Sequence, residues 1–307
     1  MSEKSEQQRL SVLKTYKLYV GGKFPRSESG RVYEVTTATS AAGAAGKGKW
    51  LANAPRSSRK DARDAVVAAR KAFGGWSGAT AYNRGQILYR IAEMLEGRKD
   101  QFTREVADAE GLSKAKAAAV VDAAIDRWVW YAGWTDKIAQ VVGGANPVAG
   151  PYFNLSSPEP TGVVTVLAPQ DSSFLGLISV VAPVIATGNT VIVIASEKSP
   201  LPALSLGEVL ATSDLPGGVV NILSGATAEI ATPLAAHQDV NAIDLAGADD
   251  VLAKDLEIAA ADNLKRVLRP QPVDYTETPG IDRLTAFLET KTVWHPTGSL
   301  GAGGSSY

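Results

Sequence analysis

TGVVTVLAPQDSSFLGLISVVAPVIATGNTVIVIASEKSPLPA, residues 161–203, carries the rhythm that decides the fold. Two nearly continuous apolar runs, 162–168 and 190–195, have the length and β-branched content of strands. Between them, 175–185 is apolar and long enough for a helix. Strands without polar alternation are those covered on both faces, as in a parallel sheet flanked by helices. Outward from this segment the same rhythm predicts strands at 219–223 and 240–245, and helices at 201–211, 227–236 and 251–261. The sequence therefore reads as α/β, with a doubly wound parallel sheet.

The N-terminal half has a different pattern. Residues 17–24 and 31–35 alternate around Gly- and Ser-rich turns and predict a hairpin. The Ala/Gly-rich stretch 41–49 predicts a loop. With Ser57 or Ser58 as N-cap, Ala62, Ala65, Val66, Ala69 and Phe73 fall at helical spacing. Asn83 precedes a second helical set, Ile87, Leu88, Ile91 and Leu95. A third places Val121, Ile125, Trp128 and Tyr131 on one face, which the burial habits of aromatic residues assign to the core. Polar residues 1–16 and the Gly/Ser-rich 299–307 are expected to be flexible tails.

Composition narrows the function. The chain has 307 residues, 45% of them hydrophobic and 21% charged, enough for a sizeable core. A formal net charge of −1 gives no long-range field for nucleic acid or an anionic membrane, and neither is expected as a partner. There is no cysteine, which removes disulfides, thiolate metal sites and thiol nucleophiles. The two histidines, His237 and His295, lie far apart, so no metal site is expected. With no signal peptide and no long apolar run, the expected location is the cytoplasm.

Several stretches are more specific. LYVGGKFPRSESGRVYEV (18–35), VDAAIDRWVWYAGWTDKI (121–138), the 161–203 segment, DLPGGVVNILSGATAEIATPLAAHQDVNAIDLAG (214–247), NLKRV (263–267) and KTVWHPTG (291–298) together resemble the aldehyde dehydrogenase family. The resemblance covers nearly all of 17–298. It implies a dinucleotide-binding-like domain over 17–146 and 161–270, with N-terminal helices on a Rossmann-like sheet. It also implies a protruding β oligomerisation arm from 147–160 and 286–298. Where the family inserts its catalytic domain, this chain has only PQPVDYTETPG (270–280), within a linker spanning 271–285.

The family's chemistry can be checked position by position. It uses a cysteine nucleophile, an oxyanion donor, a nicotinamide and a general-base glutamate. The cysteine belongs to the missing domain. The oxyanion donor is the asparagine of a Pro-Trp-Asn-Phe-Pro turn, matched here by Pro169, Gln170, Asp171, Ser172 and Ser173. An ionised Asp171 donates no hydrogen bond and repels negative charge. Pro270 stands at the glutamate's position and has no basic side chain. The family's ribose-binding Lys-Pro-Ser-Glu appears as Ile194, Ala195, Ser196 and Glu197. Its Gly-Ser-Thr-Glu-Val-Gly turn appears as Gly247, Ala248, Asp249, Asp250, Val251 and Leu252, with two carboxylates where a diphosphate would lie. The resemblance thus leaves a vestigial cofactor site at Gly188, Glu197, Pro216, Gly225 and Gly247. No catalytic residue and no bound cofactor are expected, and binding of NAD or NADP should be weak.

In the family the arm of one protomer extends the catalytic-domain sheet of its neighbour. A chain with an arm and no such domain can complete a partner but not itself. The expected partner is a full-length aldehyde dehydrogenase subunit, met through Lys291, Val293 and Trp294. The passages NPVAGPYFNLSSPEPTG (146–162) and PQDSSFLG (169–176) most resemble the sixteenth aldehyde dehydrogenase family, whose longer members carry a degenerate second unit. Two other readings stand beside this one. They are a regulatory module that still binds a dinucleotide or adenine nucleotide, and an oxidoreductase active only when another chain supplies the nucleophile.

Overall fold

The computed structural model describes residues 12–38 and 48–298. Outside them fall most of the predicted N-terminal tail, the loop stretch 41–47 and the C-terminal tail 299–307. The N-terminal part contains β1 (Val32–Thr36) and β2 (Trp50–Pro55), followed by α1 (Arg59–Ser77), α2 (Ala81–Glu96), α3 (Lys99–Glu110), α4 (Lys114–Trp134) and α5 (Ile138–Val142). β3 (Gly144–Asn146) and β4 (Tyr152–Pro160) come next. The α/β body then runs β5 (Val163–Leu167), α6 (Leu175–Ala186), β6 (Thr190–Ile194), α7 (Leu201–Leu210), β7 (Val220–Leu223), α8 (Thr227–Ala235), β8 (Ala242–Asp244), α9 (Asp250–Ala261) and β9 (Arg266–Leu268). A short α10 (Asp282–Thr285) and β10 (Leu288–Pro296) close the described chain.

The five body strands are parallel in the order β7-β6-β5-β8-β9, so the doubly wound prediction holds, with β9 as the strand the periodicity did not show. Alternate strand residues enter two separate cores. Val164, Val166, Val191 and Val193 pack with α4, α6 and α7, while Val163, Leu167, Ile192 and Ile194 pack with α1, α8 and α9. Helix α6 is buried along all twelve residues, which its uniform hydrophobicity requires. The Trp-rich face of α4 is core as expected: Val121, Ile125, Trp128 and Tyr131 are all buried.

Three local predictions need correction. Residues 17–24 do not pair with 31–35. Gly21 and Gly22 both have positive φ and turn the chain sharply on itself, so Val20 bridges Lys23. Tyr19 then pairs with Ile222 at the edge of the main sheet, while β1 pairs with β2. The second helix starts at Thr80, whose hydroxyl caps Asn83 N, and not at Asn83 itself. The predicted tail ends earlier than 16, because Lys14 reaches Ser205 Oγ at 2.8 Å and Glu208 at 3.0 Å on α7. The first helix does start after Ser58, in a capping box with Asp61.

Outside the body, β10, β4 and β3 form a three-stranded antiparallel sheet in that order. Nine residue pairs join β10 to β4, from Leu288 with Pro160 to Pro296 with Tyr152.

Candidate functional site

In an open parallel sheet, ligands meet the loops at the carboxyl ends of the strands. The five predicted cofactor residues divide on this criterion. Glu197, Gly225 and Gly247 follow β6, β7 and β8 and lie at that edge. Gly188 and Pro216 precede β6 and β7 and lie at the opposite edge, so the structure removes them from a common site. Gly188, at φ +93°, packs against Ser77 and Pro160. Pro216 accepts the Val219 amide in the turn into β7.

The turn after β5 is tied down by side chains. Gln170 Oε1 accepts the Glu197 amide at 2.9 Å, and Ser196 Oγ donates to the Gln170 carbonyl at 2.9 Å. Asp171 points outward, its side chain 90% exposed, and pairs with Lys198 at 3.1 Å. Ser172 Oγ caps Gly176 N at the start of α6. Ser173 donates through both its amide and its hydroxyl, each at 2.8 Å, to Glu110 at the end of α3. Burial pushes the Glu110 carboxyl above its ordinary range, against the lowering effect of those bonds. Asp171, which the resemblance matches to the family's asparagine, is therefore a solvated acid, and a second acid, Glu110, buttresses the helix behind it.

The N-terminus of α9 carries two acids. Asp249 is the N-cap of α9 and accepts Leu252 N at 2.8 Å, while Asp250 occupies the first turn. The Leu252 amide and this helix terminus are groups of the kind that bind an anion. Gly247 donates its amide to the Leu167 carbonyl at 2.9 Å, which presses the turn after β8 onto the end of β5. Glu197 is committed as well. Its Oε2 accepts Thr227 N at 2.9 Å and so caps α8, which has no capping side chain of its own. Gly225, at φ +136°, lies against the backbone of Ser57. At this edge the Glu197 carboxylate, the Leu252 amide and the Gly247 amide are all engaged within the chain.

Pro270 is half-buried just past β9 and offers no base. His237, beyond the end of α8, accepts Asp239 N on Nδ1, and His295 is exposed on β10. Among the described residues no group of three potential metal ligands exists, and no helix is long and apolar enough to cross a membrane.

The segment at 271–285 is more ordered than a linker. Arg127 of α4, itself buried, donates to the carbonyls of Tyr275 and Glu277 at 2.7 and 2.8 Å, and to Ser179 Oγ at 2.8 Å. Arg283 of α10 pairs with Asp244, which is fully buried at the end of β8. Leu284 and Phe287 complete the contact with the core. Sequence reasoning missed Arg127, Asp244, Arg283 and Glu110. For Arg127 and Asp244 the only signal was a charge among apolar neighbours, and for Glu110 and Arg283 there was none.

On the arm, Trp294 is 56% exposed and meets Tyr152 edge-on, with ring centroids 5.8 Å apart. Phe153 and Leu155 are exposed on the neighbouring strand. Val293 is half-buried, and Lys291 pairs with Glu159 at 3.0 Å. Among the described residues β10 has a partner on one side only.

Comparison with known proteins matches residues 35–269 to the model of the Aldehyde dehydrogenase family. Retinal dehydrogenase 2 of Gallus gallus is 33% identical over 263 residues, covering 83% of this chain and 48% of that protein. The cytosolic 10-formyltetrahydrofolate dehydrogenase of Mus musculus is 30% identical over 266 residues, covering 84% of this chain and 28% of that protein. An NAD+ complex of aldehyde dehydrogenase from Bacillus cereus superposes with a TM-score of 0.75 at 26% identity, over 83% of this chain and 50% of that one. The chain spans about half the length, or less, of the curated relatives it matches. With a matching body and the sheet order described above, this chain belongs to the aldehyde dehydrogenase family.

Proposed function

We propose that the chain is a non-catalytic aldehyde dehydrogenase-like subunit that assembles with a full-length aldehyde dehydrogenase and stabilises or regulates it. The observation that carries the reading is the arm. A nine-residue strand, β10, has one unpaired edge among the described residues and a half-exposed tryptophan beside it. Unpaired strand edges invite pairing with another chain. The exchanged chemistry supports the same role: Asp171 and Pro270 stand at the family's asparagine and glutamate positions, and no thiol exists. Within the family, the reading extends to the degenerate second unit of the sixteenth family, acting in the cytoplasm.

The test is coexpression with complete family members, followed by native mass measurement. Trp294→Ala should weaken the assembly by about 2 kcal/mol, roughly thirtyfold in Kd, because aromatic anchors dominate interface energetics. Removing residues 291–307 should abolish it while leaving the α/β body folded. A monomer that ignores every coexpressed family member, or a truncated chain that assembles normally, refutes the proposal.

The cofactor edge yields a second expectation. Alone, the chain should bind NAD or NADP weakly or not at all and should reduce neither in the presence of an aldehyde. Calorimetry on Asp249→Ser with Asp250→Thr should show improved NAD binding, since the substitution removes two negative charges from the phosphate position. Tight stoichiometric binding to the unmodified chain would instead favour a regulatory nucleotide-binding module. Reduced cofactor above a denatured control would defeat the non-catalytic reading.

A further inference from the structure

A cavity of about 440 Å³ lies between the middle of α4, α6 and the segment 268–283 that covers them. Its lining includes a buried cation, Arg127, that forms no ion pair among the described residues. The three partners of Arg127 are uncharged, and no described carboxylate pairs with it. Those bonds use both Nη2 hydrogens and one on Nη1, leaving the Nε–H and the other Nη1–H without an acceptor among the described residues. A buried guanidinium usually has a carboxylate partner, because desolvating a lone charge is costly. The other two arginines of the cavity are already neutralised, Arg283 by Asp244 and Arg269 by Glu257.

One helical turn further along α4, Tyr131 lines the same cavity. The residue has no solvent exposure, and its hydroxyl has no hydrogen-bond partner among the described residues. Burial pushes this hydroxyl up to about 12, so it remains a donor at neutral pH. Two independent deficits, a missing negative charge and a missing acceptor, thus occur side by side on one helix face.

We infer that this cavity is a binding site for a small monocarboxylate, whose oxygens accept hydrogen bonds from Arg127 and the Tyr131 hydroxyl. Charge selects a monoanion. Arg127 is the one arginine of the cavity without an ion-pair partner among the described residues, and the exposed carboxylates of Asp274, Glu277 and Asp282 at the rim repel a dianion more strongly than a monoanion. Two converging kinds of donor favour a carboxylate over a spherical halide. The site also lies past the carboxyl ends of β8 and β9, the edge where open α/β sheets take ligands. It does not depend on the arm or on any partner chain.

The test is calorimetry on the full chain at constant ionic strength, with benzoate and butyrate as probes. Benzamide, chloride and inorganic phosphate are the comparators. Saturable binding of one carboxylate per chain is expected, with benzamide and chloride inert and phosphate much weaker. Tyr131→Phe removes only a hydroxyl that makes no hydrogen bond among the described residues, so the variant should fold normally and bind the carboxylate about tenfold more weakly. Arg127→Lys retains a charge but cannot span the three acceptors, and it should lose binding altogether. The inference is overturned if neither carboxylate saturates, if phosphate or benzamide binds as well, or if a folded Tyr131→Phe chain binds undiminished.

Discussion

Replacing Arg283 by methionine should lower the free energy of unfolding by about 3–5 kcal/mol, the usual cost of leaving one member of a buried ion pair without the other. Asp244 is fully buried and bonded to Arg283, and its Oδ1 also accepts Ala246 N at 3.0 Å. Burial raises its carboxyl above the ordinary value of 3.8, more than Arg283 lowers it. An acid whose pKa is higher in the folded state binds more protons there, so stability falls as pH rises from the unfolded value through the folded one. Losing Arg283 raises the folded value further and widens that window. The deficit of the variant should therefore be full at neutral pH and shrink as pH falls toward about 4. Adding Asp244→Asn should recover most of it at pH 7, because the amide oxygen can still accept Ala246 N and carries no charge. Denaturant titrations of the single and double variants at two pH values are the check. Equal deficits at both pH values would show that Asp244 is not the source.

Gly247→Ala should cost about 3 kcal/mol, at the upper end of ordinary overpacking. A Cβ there would run into the backbone of Ala168, with the carbonyl carbon at 2.7 Å and its oxygen nearer still. Neither can yield without moving the end of β5, and Gly247 N is held by Leu167 O on the same strand. Gly75→Ala is the contrasting case. Gly75 is exposed within α1 and a Cβ there meets nothing within 4 Å, so the change should stabilise by about 0.5–1 kcal/mol through helix propensity. Thermal melts that fail to separate the two substitutions would remove the argument from close approach.

The difference between what the sequence disclosed and what it hid has a physical basis. Residues 162–168 and 190–195 are legible because burial on both faces forces unbroken apolar runs, and no other soluble element of that length has them. β9 is only three residues long, with polar neighbours, and gives no such run. α3 places Phe102, Thr103, Val106 and Ala109 on its buried face, but it starts at Arg98 without a capping side chain, so its beginning is unmarked. The candidate site was half legible. The acids at 171, 249 and 250 and the proline at 270 are read from residue identity alone. The separation of Gly188 and Pro216 from Glu197 depends instead on which side of a strand each residue lies. Arg127 was hidden more deeply, because its acceptors come from carbonyls about 150 positions away, and a carbonyl leaves no trace in residue identity.

The pairing of β4 with β10 has a consequence for the order in which the molecule forms. Ser156 and Thr292 face each other across a sequence separation of 136 residues, and the whole α/β body lies between β4 and β10. Bringing such distant segments together from an unfolded chain carries a closure entropy that a two-strand contact alone does not offset. Once the body has formed, its own packing brings both segments to one side and most of that entropy has already been lost. The arm is therefore a late structure, completed only on a chain whose interior is correct. A surface that forms last marks out finished molecules from unfinished ones.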